Sequence, residues 1–400
     1  MGIHSCGMMT EIIGGGDEQK QKEISDNEDH DIIVFPNLTE LNLFYLHNLT
    51  GFRAHQNGES NTCKVQFPSL VEFTLDSCGV INLEAIELWR DDSTCPLKSI
   101  SIKSVNHLQL PRKWQLHLYN LEKLKLTHCW WQELKSLCFP ELKELQVSNC
   151  GRCALFTISG FGSLQQLQTL EISNCDLLEE IVEDVRGDGH DEMDKKTVIE
   201  LLQLDSVILK DLPNLKSFTH GTNYECYMPA LDYMIFDNCG LSSLFTCSVF
   251  RNLQQLDELV VSNCILLEAI VEDGRGDGET SDANDKIITL LKLYSITLED
   301  LPHLSSFSCS ESHAFNMPEL KEFHLLKCPR LENLKDIKAS TGIVSFRTEH
   351  GCEEVTDLND FITKHRKRGC NLVTLQENQV SNQELETESG IIEEEKHQEG

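Results

Sequence analysis

Large apolar residues recur along the chain at the first, fourth and sixth places of a short motif, with polar residues between them. The motif starts at Leu38, Leu70, Leu97, Leu121, Leu142, Leu167, Leu204, Leu231, Leu256, Leu293 and Leu320, at successive spacings of 32, 27, 24, 21, 25, 37, 27, 25, 37 and 27 residues. Alternation over places three to seven is that of a strand with one face buried, so each motif predicts a short strand, such as Leu145-Gln146-Val147 or Leu259-Val260-Val261. Three places further on comes a ninth-place residue: Leu46, Cys78, Val105, Cys129, Cys150, Cys175, Leu212, Cys239, Cys264, Leu301 and Cys328.

A longer copy overlies this short period. Residues 164–184, LQQLQTLEISNCDLLEEIVED, return 89 residues later at 253–273 as LQQLDELVVSNCILLEAIVED, with fifteen of the twenty-one positions identical. The register continues without a gap: Phe139-Pro140 faces Met228-Pro229, and Asp211-Leu212-Pro213 faces Asp300-Leu301-Pro302. The large unit holds three small ones, of 25, 37 and 27 residues. Motif and ninth place together are the leucine-rich-repeat pattern, L-x-x-L-x-L-x-x-C. They predict an α/β solenoid of about eleven repeats, a curved horseshoe with a parallel sheet on its concave face. One turn cannot bury its leucine row, whereas stacked turns bury a continuous core. Each buried leucine contributes roughly 1.5–3 kcal/mol of transfer free energy against the chain's ordering entropy.

The same reading divides the chain. Residues 1–30 are polar, with Gly14-Gly15-Gly16 and an acidic run, and are expected to form a disordered leader. The solenoid is expected over 31–350, opening at Phe35-Pro36 without a polar capping repeat, so that this end looks cut. Ile32-Ile33-Val34 is a candidate strand there, and Ile343 to Phe346 a candidate closing strand. Residues 351–400 read as a loosely ordered, acidic tail. The two 37-residue repeats carry acidic loops at 183–196 and 272–286, expected on one rim.

A net charge of −31 argues against nucleic acid as a partner, since phosphate binding needs a basic surface, and favours basic protein partners. Of seventeen cysteines, seven stand in the ninth place, where a small buried thiol fills a turn and donates weakly to backbone. Such core thiols imply a reducing compartment, and MGIHSCGMMT is not a signal peptide. No apolar run reaches membrane-spanning length. The expected location is cytoplasmic, with the basic cluster Lys364 to Arg368 leaving nuclear entry open.

No chemistry emerges from the motifs. The acidic loops miss the calcium-loop spacing, Cys150-Gly-Arg-Cys153 lacks a second pair at zinc spacing, and the loops' Arg-Gly-Asp triplets at Arg186 and Arg275 read as chance. Nucleophile elbow, paired-histidine zinc motif and phosphate loop are missing from the sequence, so no catalytic residue, metal ligand or cofactor is assigned. The outward strand positions say more. Early repeats carry polar residues there, including Lys103, Lys123, Lys125, Glu144 and Glu171, whereas repeats seven to nine carry Ile208, Tyr233, Ile235 and Val260. Four apolar residues on three neighbouring strands make a candidate protein-binding patch.

The recurring F-P-x-L-x-x-L-x-L at Phe139, the Ser-Asn-Cys after the strand at Ser173, and the run from Asp211 to Phe218 resemble the C-terminal repeats of plant immune receptors. The class is the coiled-coil, nucleotide-binding, leucine-rich-repeat disease resistance proteins, and the resemblance covers about residues 31–340. It implies a non-catalytic module that senses pathogen effectors or a guarded host protein. It also implies packing against a nucleotide-binding domain to regulate signalling. The sequence departs from that class in having no G-x-x-x-x-G-K-[ST], so nucleotide binding does not carry over. The alternative is a free-standing acidic inhibitor or scaffold for a basic protein. A ubiquitin-ligase adaptor ranks third, because no F-box-like segment precedes the repeats.

Overall fold

The computed structural model of the 400-residue chain describes residues 1–6, 9, 11–13, 32–49, 51–53, 64–79, 83, 86–88, 95–105, 118–129, 134–135, 138–183, 196–272, 287–309, 313–331, 334, 337–339, 344–348, 351–356 and 358. One sheet of fourteen strands runs through them. In order these are β1 (Gly2–His4), β2 (Glu40–Phe44), β3 (Glu72–Asp76), β4 (Ser99–Lys103), β5 (Lys123–Thr127), β6 (Glu144–Ser148) and β7 (Thr169–Ser173). They continue as β8 (Ser206–Leu212), β9 (Tyr233–Cys239), β10 (Glu258–Ser262), β11 (Ser295–Glu299), β12 (Glu322–Leu326), β13 (Val344–Thr348) and β14 (Gly351–Val355). Strands β2 to β12 hold the eleven motifs, each strand parallel and in register with the next; β10, for example, aligns Leu259 with Ile296 of β11.

Alternation fixes which face is buried. Fourth-place residues, from Leu41 to Phe323, are at most 1% exposed, while the fifth-place residues beside them are partly or fully accessible. Beneath the sheet the returning chain is mostly β, in short side sheets such as Ala154–Thr157 with Glu180–Glu183 and Thr197–Glu200 with Tyr224–Tyr227. The helices described in full are a 3-10 turn at Leu118–Asn120 and two five-residue α-helices, α1 (Ile158–Gly162) and α2 (Cys247–Arg251). These helices stand 89 residues apart, and each is capped by a threonine hydroxyl that accepts a backbone N–H. Thr157 takes Gly160 at 3.1 Å, and Thr246 takes Val249 at 3.3 Å. A buried ring pair is copied with them: Phe156–Phe161 at 5.5 Å and 39°, Phe245–Phe250 at 5.2 Å and 38°. The copied sequence therefore makes copied packing.

The ninth-place cysteines behave as core thiols. Six of the seven are buried and Cys328 is half-buried. Their sulfurs donate to backbone carbonyls, as from Cys129 to Ile102 at 3.2 Å and from Cys239 to Leu209 at 3.4 Å. Burial pushes the Cys129 thiol above its ordinary range. The residue just before each ninth place is left-handed in all eleven repeats, with φ from 50° to 56°, from Tyr45 to Lys327. That turn leads the chain off the sheet, and its N–H still reaches the next repeat, as Asn149 does to the Ser173 carbonyl at 3.0 Å.

Two expected boundaries are corrected. The leader expected over 1–30 starts as sheet, because β1 pairs with β2 through Gly2–Asn42, Ile3–Leu43 and His4–Phe44. Ser5 then adopts φ 54°, and Cys6 donates its thiol to the His4 carbonyl at 3.4 Å. Ile3 to Cys6 thus take places six to nine of a repeat, and Glu11–Ile13 adds a side strand on Gly51–Arg53. The stretch from 351, expected as a loosely ordered tail, opens as a strand: β14 turns back antiparallel on β13 across five residue pairs. Ile32–Val34 is a strand, but it pairs with Lys64–Gln66 in a side sheet. Most of the leader, the two acidic loops with their Arg-Gly-Asp triplets, and Lys364 to Arg368 lie outside the described residues.

Candidate protein-recognition face

Because strand places three, five and seven point away from the core, and place two, just before the strand, is also accessible, the open face of the sheet consists of rows running from repeat to repeat. On the fifth-place row, Lys125 pairs across to Gln146, Gln146 to Glu171, Glu171 to Ile208, Ile208 to Ile235, Ile235 to Val260 and Val260 to Thr297. Ile208, Ile235 and Val260 therefore lie side by side on β8, β9 and β10, half-buried by one another and by their neighbours. Tyr233 stands on the same face of β9, in register with Ser206 and Glu258. Burial, with a smaller push from Glu258, raises its phenol above the ordinary range. All four sequence-derived residues come together as one patch.

The second-place row was not picked out from sequence. In repeats three to five it reads Lys98, Glu122, Lys143, and both lysines close on the one carboxylate, at 2.6 and 2.9 Å. Their hydrogen bonds, that of Lys98 first, hold the Glu122 carboxyl down to about 2. In repeats seven to nine the same row reads Asp205, Asp232, Asp257. All three are exposed and follow one another directly in the backbone ladder, since the Asp232 N–H bonds to the Asp205 carbonyl and the Asp257 N–H to the Asp232 carbonyl. Burial, then the charge of Asp232, raises the Asp205 carboxyl. A Leu-Asp opening of three consecutive motifs was the available signal.

The opposite flank is quiet. Asp237 accepts from Ser262 at 2.8 Å and from Asn263 at 2.7 Å, and Asp211 accepts from Asn238 at 2.8 Å. Two lysines of the early repeats are likewise matched, Lys103 to Asp76 at 3.3 Å and Lys123 to Glu144 at 2.8 Å. Cys153 is exposed while Cys150 is buried in the ladder, so this C-x-x-C is divided between two environments. A cleft of about 660 Å³ opens between α1 and Thr197–Glu200, lined by Thr157, Gln165, Glu183 and Val198 among others. None of its lining residues belongs to the long sheet, so it is separate from the patch. Among the described residues no helix is long and apolar enough to cross a membrane.

A long parallel sheet over a leucine and cysteine ladder defines a leucine-rich-repeat solenoid. The family described as plant disease resistance protein RPS2-like, leucine-rich repeats, matches residues 115–265 and again 219–346, more than half of the chain, and the protein belongs to it. Among solved structures the chain is similar to a plant peptide hormone receptor, RGFR1 in complex with RGF2. The identity is 15%, with 81% of this chain and 70% of that one covered, at a TM-score of 0.19. No curated protein matches the chain.

Proposed function

We propose that this solenoid is a non-catalytic recognition module of plant defence, working in the cytoplasm, and that repeats seven to nine hold its partner. The partner is a pathogen effector, a guarded host protein or the nucleotide-binding domain of an immune receptor. The observation that carries this reading is the in-register row Ile208, Ile235, Val260 with Tyr233 beside it, four grouped apolar side chains on a face whose outward residues in repeats three to six are all polar. Aliphatic and aromatic side chains left accessible in a group are what partner burial rewards. A partner that binds active and inactive receptor states unequally shifts the balance between them.

The test adds the chain in trans to the nucleotide-binding half of a receptor of this family, following co-precipitation and nucleotide exchange. The wild-type chain should alter exchange, and the Tyr233→Ser/Ile235→Ser variant should not. Because the changed residues face outward, the variant's melting temperature should stay within about 3 °C of wild type. Equal activity of the two chains would remove the patch from the mechanism.

A further inference from the structure

Resting on the reading that repeats seven to nine form the recognition face, we infer the chemistry of what sits there. It is a peptide segment with an aliphatic centre for Ile208, Ile235 and Val260 and with lysine or arginine along one flank, reaching the Asp205, Asp232 and Asp257 row. The second-place row differs between the early and the late repeats. Where this row carries charge in repeats three to five, the sheet neutralises it internally through Lys98, Glu122 and Lys143. In repeats seven to nine it sets three carboxylates at successive strand spacings of about 4.8 Å, and among the described residues none of the three forms an ion pair.

Like charges so placed repel, and the raised Asp205 carboxyl is the sign of that repulsion added to its burial. A basic side chain entering the row would relieve it. The asymmetry sets the orientation: on the other side of the aliphatic row, Asp237 and Asp211 are already satisfied by Ser262, Asn263 and Asn238. An apolar centre with unpartnered carboxylates along one side and hydrogen-bonded ones along the other selects its partner by sign as well as by shape. An acidic or uniformly apolar segment would leave the three aspartates unmatched beside it.

The experiment selects from a random peptide library displayed on phage against the full chain, then measures the enriched peptides against two variants. Peptides holding aliphatic residues beside lysine or arginine should be enriched. Asp205→Asn/Asp232→Asn/Asp257→Asn should weaken them about tenfold at low salt, the sum of three exposed pairs, with the difference closing at high salt. Ile235→Ser should weaken them at either salt. Peptides that need Ile235 but ignore the three aspartates overturn the inference and leave the recognition face standing. Peptides indifferent to Ile235, or no enrichment at all, overturn both.

Discussion

The segments 164–184 and 253–273 are nearly the same sequence folded the same way, and their six differences are informative. Three fall on the open face: Gln168 against Asp257, Thr169 against Glu258 and Glu171 against Val260. Ile172 against Val261 is the one exchange between two fully buried residues, and it remains aliphatic. The other two, Asp176 against Ile265 and Glu180 against Ala269, lie past the strand, in the turn and the side strand that follow it. The copies thus share nearly all of a core and differ mostly outside it, although Ala269 is fully buried where Glu180 is partly accessible. Val260 completes the aliphatic row, whereas Glu171 ends it on the other side. One scaffold presents two chemistries because inward and outward positions alternate strictly and can change independently.

The comparison can be broken at its shared part first. Leu170→Ala and Leu259→Ala each empty a fully buried fourth place, and each should cost about 2–5 kcal/mol in urea unfolding. A small cost in one copy alone would mean that the two cores are not equivalent. Next comes the open face: Val260→Glu should reduce binding of the selected peptides at least about tenfold while changing stability by less than about 1 kcal/mol. The reciprocal Glu171→Val should lengthen the aliphatic row and leave stability similarly unmoved.

The smallest effects concern the second-place row. Glu122, depressed to about 2 from 4.5, adds stability that is complete above about 4.5 and is lost as pH falls towards 2. As an exposed pair it is worth under about 1 kcal/mol. Asp205, being raised, opposes folding at neutral pH and ceases to do so as acid protonates it. Glu122→Gln should therefore destabilise slightly at neutral pH, Asp205→Asn should stabilise slightly, and both differences should vanish in acid. Same-signed effects would remove the contrast between the two halves of the row.

The strands, the buried leucines and the thiol ladder were legible because one period governs all three. The patch was legible for the same reason: once the inward places are known, Ile208, Tyr233, Ile235 and Val260 must point outward. Residues 1–6 were missed because only Ile3-His4-Ser5-Cys6 survives of the motif there, without the leucines that announce it elsewhere. β14 was missed because its residues are mostly exposed and it holds its place by backbone pairing with β13, which side-chain pattern does not record. The side strands were hidden for a related reason. They are two to four residues long, too short for alternation to show.

The left-handed residue before each ninth place also bears on how such a chain can diverge. Across the eleven repeats it is Asn at 149, 174, 238 and 263, and otherwise Asp, Ser, His, Tyr or Lys. Each of these five differs from an asparagine codon by a single base. The single-base neighbours of asparagine that never occur there are threonine and isoleucine, the two with a branched β-carbon. A branched β-carbon is what a positive φ tolerates least. Point mutation can therefore wander through this turn along the paths the genetic code opens, and backbone sterics close two of them.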